Sequence, residues 1–244
     1  MSEVLVVAND DDRDSGYVGD RLVRHGFRLR TVSREAGEVP SAVVGAGGAA
    51  GKECAPDLVL LLGSEWSVHA PVDATCLADE SALVRDAAAV GVPVLGLCYG
   101  AQVLAHATGG RVWRAAVPEI GPVFVETVDP ALVPTGPWVA FHEDVFEPPA
   151  EATVVARNGC GVQAFTLPGV LAVQFHPEVR PEVFDRWAAE SSGQLAAAGI
   201  DRATVVAAVR GRADEARQAA YALVDEFLTR HGMLPARLTD GSEG

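Results

Sequence analysis

Lysine is almost missing from this sequence, and acidic residues outnumber basic ones throughout. Lys52 is the single lysine, and 19 lysine and arginine residues stand against 33 acidic ones, for a formal net charge of −14. Schiff-base chemistry would depend on this one residue in a segment rich in glycine and alanine, which makes it a poor candidate. Such acidity also disfavours nucleic acids and anionic membranes as partners. Small molecules or other proteins are better candidates.

Paired cysteines and long apolar runs are absent as well. The four cysteines include no Cys-x-x-Cys pair and no histidine partner at zinc-finger spacing, so neither a structural metal nor a redox dithiol is predicted. Residues 47–53 resemble a phosphate-binding loop but lack its first glycine and its final serine or threonine, and we expect no nucleotide cofactor. The N-terminus lacks the basic and apolar regions of a signal peptide, and no run approaches the roughly 18 residues of a membrane span. These absences predict a soluble protein of the reducing cytoplasm.

The most informative segment is an apolar run that ends at a cysteine between two glycines. The segment at 92–97 is short and rich in β-branched and aliphatic residues, which predicts a buried strand. A helical pattern begins at Gln102. The order Gly96, any residue, Cys98, any residue, Gly100 has the form of a nucleophile elbow, a sharp turn that exposes a reactive side chain. A buried, inert cysteine is the alternative, but packing alone gives no reason for the flanking glycines.

The first half of the chain alternates between strand and helix patterns. Strands are predicted at 4–8, 27–32, 58–62 and 92–97, with helices at 17–25 and 77–89. This order predicts β-α-β units and a parallel sheet. The later half contains short strand patterns between 111 and 175, which indicate antiparallel or mixed strands. Residues 33–55 lose periodicity and predict an excursion from the sheet, and helical patterns return at 195–198, 203–209 and 213–228.

Two histidines are candidates for the base that would activate Cys98. His176 follows a predicted buried strand and precedes Pro177, which favours extended backbone at His176. Residues two apart in an extended chain face the same way, so Glu178 can reach the His176 ring. This predicts a triad with Cys98 as nucleophile, His176 as base and acid, and Glu178 as the orienting carboxylate. His142 is the weaker competitor, and we expect it either to line the site as a substrate-binding residue or to anchor a loop.

A second strand end carries a possible oxyanion site. The predicted strand at 58–62 ends at Gly63 and Ser64, and the carboxyl ends of parallel strands collect on one edge of the sheet. If this strand neighbours that of Cys98, a backbone N–H near Gly63 and Ser64 could pair with the N–H of Tyr99 as a two-donor oxyanion hole. The simpler alternative is an ordinary glycine at a strand end.

These residues carry a specific resemblance. The blocks around Cys98 (residues 96–102) and His176 (residues 173–178) resemble the two signature blocks of class I glutamine amidotransferases. Further similarity lies at residues 62–66, 141–144 and 162–165, and Tyr99 after the cysteine is most similar to the glutaminase domain of GMP synthase. The resemblance implies a three-layer α/β fold of flavodoxin type, with an open, mostly parallel sheet and helices on both faces. The helical patterns after residue 190 add a C-terminal helical extension to this fold.

The resemblance also implies a reaction. Cys98 would attack the side-chain amide of glutamine, with Gln102 helping to hold the substrate. Ammonia would leave as a glutamyl thioester forms, and water would then hydrolyse the thioester. We therefore expect a catalytic domain at 1–190, a helical extension at 191–234 and a disordered tail at 235–244. The expected partner is an ammonia-accepting synthetase or synthase subunit, because no acceptor domain is recognised after the triad. A stand-alone hydrolase of γ-glutamyl amides and a non-catalytic binding module remain the alternatives.

Overall fold

The computed structural model of the chain describes residues 2–43 and 55–234. Its strands are β1 (Glu3–Ala8), β2 (Arg28–Ser33), β3 (Leu58–Leu61), β4 (Val94–Leu97), β5 (Arg111–Val123), β6 (Glu126–Thr127), β7 (Trp138–Glu147), β8 (Thr153–Asn158), β9 (Gly161–Leu167) and β10 (Val170–Val173). Its helices are α1 (Gly16–Arg24), α2 (Ala74–Val90), α3 (Tyr99–Ala107), α4 (Pro181–Glu190), α5 (Ser192–Ala197), α6 (Arg202–Gly211) and α7 (Ala213–Arg230). The strands and helices predicted before residue 98 all occur, with small shifts at their ends.

Eight of the strands form one sheet in the order β2-β1-β3-β4-β10-β9-β8-β6. The five strands from β2 to β10 run parallel, and β9, β8 and β6 continue the sheet antiparallel. The predicted mostly parallel sheet is therefore confirmed. Because β3 and β10 flank β4, the ends of the strands that precede Gly63 and His176 lie on either side of Cys98.

Helices cover both faces of this sheet, as predicted. On β1, Val4 and Val6 point to one face and Leu5 and Val7 to the other, and all four side chains are fully buried. The first face packs in one hydrophobic cluster with apolar residues of α1 and α7. The second packs with those of α2 and α3. The alternation of β1 thus joins two separate cores across a single sheet.

The C-terminal helices divide between two clusters. Helix α7 contributes Leu223, Phe227 and other buried residues to the same core as α1, while α4, α5 and α6 share a third cluster next to β7. The separation of a domain at 1–190 from an extension at 191–234 stays a prediction, and the predicted tail at 235–244 lies outside the described residues. So do Lys52, Cys54 and the middle of the excursion predicted at 33–55.

The main departures from the sequence-based expectations lie between residues 98 and 190. Strand β5 has 13 residues and pairs antiparallel with β7 in a separate two-stranded sheet, where only short strands were expected. Helix α3 begins at Tyr99 rather than near Gln102, and α4, which has proline at its N-terminus, was not expected at all. None of the helices within residues 2–43 and 55–234 combines the length and apolar character needed to cross a membrane.

Candidate active site

Cys98 lies between the end of β4 and the start of α3, in a strained backbone conformation. Its φ of 49° makes it the only non-glycine residue with positive φ among those described. The two flanking glycines permit this tight turn, because a Cβ on Gly96 would lie 2.7 Å from the Gly100 carbonyl oxygen and one on Gly100 would lie 2.3 Å from that of Leu61. A non-glycine residue held in this region costs free energy, and such strain is typical of functional turns.

His176 and Glu178 are placed next to Cys98. The Nδ1 atom of His176 lies 2.7 Å from Oε1 of Glu178, and both side chains are buried. The main chain holds the histidine in place, since its N–H donates to the Val139 carbonyl at 2.7 Å. The ring also packs edge-on against Trp187, with centroids 4.9 Å apart. Cys98, His176 and Glu178 also line the same cavity, so the structure brings together the three residues of the predicted triad.

The electrostatic setting of His176 favours its charged form. Burial alone would lower the pKa of the imidazole, but its interactions with Cys98 and Glu178 outweigh burial and hold the pKa of His176 well above its ordinary value. A protonated imidazole beside a thiolate is the ion pair that gives cysteine its nucleophilic form near neutral pH. Gln174 supports the same sulfur, because its Nε2 atom lies 3.6 Å from Sγ of Cys98.

Gly63, Ser64 and Tyr99 lie around the cysteine with their backbone N–H groups available. None of these three groups donates a hydrogen bond within the described ranges 2–43 and 55–234. A Cβ at Gly63 would lie 2.6 Å from Cε1 of His176 and 3.6 Å from Cβ of Cys98, so this glycine contacts both. Tyr99 opens α3, where the first N–H groups have no intrahelical acceptor. Donors in such an arrangement can bind an oxyanion.

A cavity of about 410 Å³ opens above Cys98. Gln102 and His142, both predicted to contact substrate, line it together with the predicted triad, Gly63 and Ser64. Gln102 is 3% exposed. His142 lies inside β7 rather than after a strand, and both its ring nitrogens are engaged, by Glu119 at 2.9 Å and by the Asp144 carbonyl at 3.0 Å.

Three residues near Cys98 and its cavity were not predicted to belong to the site. Gln174 lies two residues before His176, and no sequence pattern marks it as a site residue. Its contact with the sulfur of Cys98 arises only in the folded structure, because the two residues are 76 positions apart in sequence. Trp187 comes from the unexpected helix α4. Asp12, between β1 and α1, lines the cavity, and its Oδ1 atom accepts a hydrogen bond of 2.9 Å from Nη2 of Arg186. Burial raises the pKa of Asp12 despite that arginine, and the nearby Glu178 carboxylate adds to the effect.

Comparison with known proteins identifies the family. The sequence model of the family described as glutamine amidotransferase class-I matches residues 48–191, which is more than half of the chain. This chain belongs to the class I glutamine amidotransferase family. Its similarity to a GMP synthase [glutamine-hydrolyzing] of Aeropyrum pernix is 44% identity over 111 residues, covering 40% of this chain and 22% of that protein. A GMP synthase of Thermomicrobium roseum is 33% identical over 135 residues, covering 52% and 24%. The matches thus span about a quarter or less of these relatives.

Solved structures agree with the fold. A glutamine amidotransferase from Thermotoga maritima superposes with a TM-score of 0.78 at 24% identity, over 93% of this chain and 98% of its own. A glutamine amido transferase from Methylobacillus flagellatus gives a TM-score of 0.76 at 20% identity, over 93% and 94%. At these identities the two structures support the amidotransferase fold, including its C-terminal helices, and both the predicted family and the predicted fold class are confirmed.

Proposed function

We propose that this amidotransferase hydrolyses the side-chain amide of glutamine through a covalent glutamyl thioester. The observation that carries the proposal is the buried set of Cys98, His176 and Glu178 lining one cavity, beside backbone N–H groups that have no acceptor among residues 2–43 and 55–234. The family and the GMP synthase relatives, which are named as glutamine-hydrolyzing enzymes, support the same reaction.

The proposed reaction begins with attack of the Cys98 sulfur on the amide carbon. The carbonyl oxygen becomes an oxyanion, which the N–H groups of Gly63 or Ser64 and of Tyr99 would stabilise. His176 then donates its proton to the departing nitrogen, and ammonia leaves as the thioester forms. A water molecule that gives its proton to His176 attacks the thioester, and glutamate leaves with the thiol restored. Glu178 keeps the imidazole oriented throughout, as in other triads.

Substrate recognition is proposed to involve Gln102 and His142. Because Glu119 and the Asp144 carbonyl already engage both ring nitrogens of His142, this residue would line the site and leave the hydrogen bonding to Gln102. Gln102 is 3% exposed and lines the cavity, and its amide is proposed to pair with a polar group of the substrate. A site that pairs the polar groups of its substrate rejects analogues that lack them, because its own buried groups would be left unpaired. We therefore expect the α-amino and α-carboxyl groups of a glutamyl unit to be required.

The released ammonia would pass to a synthetase or synthase subunit. The GMP synthase relatives are several times longer than the matched segment. A γ-glutamyl amide is the second candidate substrate, since the cavity continues past Cys98 to Arg186, Glu190 and Gln194 on α4 and α5. A larger leaving group than ammonia would fit in that direction.

The experiment measures ammonia and glutamate released from glutamine, and amine and glutamate from several γ-glutamyl amides, with intact mass spectrometry of the enzyme. Cys98→Ala should abolish turnover, and His176→Asn should lower kcat by about 10² to 10⁴-fold, the usual contribution of a general base. Glu178→Gln should cost less, because this residue orients the ring and transfers no proton. Cys160→Ala, which changes an exposed cysteine, is the matched control. Equal turnover of amides without the α-groups would indicate a general thiol amidase instead.

A further inference from the structure

Arg34 is a buried cation at the carboxyl end of β2 that the reaction described above does not use. Its side chain is fully inaccessible, and so is that of Glu80, whose Oε1 atom accepts from Nε of Arg34 at 2.9 Å. Replacing a buried ion pair by apolar residues is often neutral or stabilising, so such a pair is weak evidence for stability alone. The position of the guanidinium suggests another purpose.

The guanidinium binds the two carbonyl groups that precede the candidate oxyanion donors. Nη2 of Arg34 donates to the Leu62 carbonyl at 2.9 Å, and Nη1 donates to the Gly63 carbonyl at 3.2 Å. In a trans peptide the C=O and the following N–H point in opposite directions. Holding these two oxygens therefore turns the N–H groups of Gly63 and Ser64 away from the arginine. Those are N–H groups that find no acceptor within the described residues.

The same guanidinium also contacts the residue that carries the other candidate donor. Its central carbon lies 4.9 Å from the centre of the Tyr99 ring, in cation–π geometry. Oδ1 of Asn9 accepts a further hydrogen bond of 2.9 Å from Nη1 of Arg34. One planar group thus touches both sides of the candidate oxyanion site, with Glu80 and Asn9 keeping it in place.

We propose that Arg34 is a positioning residue that holds the backbone N–H groups of the Gly63 loop toward the substrate carbonyl of the Cys98 reaction. Glycine resists peptide rotation less than any other residue, so the Gly63–Ser64 peptide needs an external restraint. This inference rests on the proposed function, because an oxyanion forms only if Cys98 attacks an amide. Lysine at position 34 would keep the charge opposite Glu80 but could not bind two carbonyls and a carboxylate in one plane.

The test compares a reaction that forms an oxyanion with one that does not. Hydrolysis of glutamine passes through a tetrahedral oxyanion, whereas alkylation by iodoacetamide forms a carbon–sulfur bond as iodide leaves and needs only the Cys98 thiolate. For Arg34→Lys we expect kcat to fall by at least about tenfold, toward the 10² to 10³-fold of a lost oxyanion donor. KM and the alkylation rate should stay within a few-fold of wild type. Arg21→Lys is the matched control, since Arg21 also binds a carboxylate with two nitrogens and lies over a tyrosine ring.

Several outcomes would overturn the inference. A wild-type kcat in Arg34→Lys would overturn the inference. Parallel losses of glutamine turnover and of Cys98 alkylation would also overturn it, because they indicate a general structural role for Arg34. If Arg34→Lys does not fold, the pair Arg34→Gln with Glu80→Gln replaces it, because removing both charges leaves neither unpaired. If the wild-type enzyme hydrolyses neither glutamine nor γ-glutamyl amides, the proposed function fails by itself. A crystal structure of the variant then decides: a rotated Gly63–Ser64 peptide supports the positioning role, and an unchanged peptide refutes it.

Discussion

Replacing Gly63 by alanine tests the geometry of the candidate site with a single methyl group. The new Cβ would lie 2.6 Å from Cε1 of His176, well inside the contact distance of about 3.5 Å between carbon atoms. The backbone of Gly63 does not have positive φ, so the substitution adds no conformational strain of its own. The imidazole must therefore move by about 1 Å, away from the hydrogen bond of 2.7 Å to Glu178.

The magnitude follows from that displacement. A misplacement of about 1 Å in a catalytic group can cost about 10²-fold in rate, which equals about 2.7 kcal/mol at 1.36 kcal/mol per factor of ten. We expect kcat for glutamine to fall by this amount in Gly63→Ala. Alkylation of Cys98 by iodoacetamide at neutral pH should slow as well, because the thiolate loses its nearby imidazolium.

The assay uses steady-state ammonia release together with thermal unfolding of each variant. Gly159→Ala is the matched control, because a Cβ at this exposed glycine meets no atom within 4 Å. It should leave both kcat and Tm unchanged. A folded Gly63→Ala enzyme with wild-type kcat would refute the placement of His176 beside Gly63, and with it the assignment of His176 as the base.

Two further predictions concern other parts of the chain. A glutamine-derived chloroketone should add covalently to Cys98 and not to Cys76, because burial raises the pKa of the Cys76 thiol to about 12; peptide mapping checks this, and modification of Cys76 instead would contradict the assignment. Asp225→Asn should lower the free energy of unfolding by about 1 to 3 kcal/mol at pH 7, since Asp225 on α7 binds Arg21 on α1 through two hydrogen bonds of 2.6 Å. Burial would raise the pKa of Asp225, but Arg21 and His25 outweigh burial and hold this pKa below its ordinary value. The carboxylate of Asp225 therefore contributes to stability above about pH 4, and this contribution is lost as the pH falls. Chemical denaturation should show that the stabilities of the variant and the wild type converge at low pH.

The parallel half of the fold was predictable because its information is local. Strand β1 has a continuous apolar run and α2 ends at Gly91, which adopts the left-handed conformation typical of a helix end. The full length of strand β5 was not predictable from the sequence. Six of its 13 residues are not apolar, so the segment lacks the pattern of a long strand, and its pairing partner β7 begins 15 residues after β5 ends. Antiparallel pairing across such a connection depends on tertiary contacts, which short-range patterns do not contain.

The candidate site shows the same division between local and distant information. The glycine and proline neighbours of Cys98, His176 and Glu178 made these three residues predictable, because a sharp turn and an extended strand end favour those residue types. Arg34 has no such neighbours, and its contacts to Gly63 and Glu80 span 29 and 46 positions in sequence. Since a buried arginine is explained only by what surrounds it, no periodicity or spacing could have assigned it. The residues that react are thus found from the turns that present them, whereas the residues that hold those turns in place are found only from the folded structure.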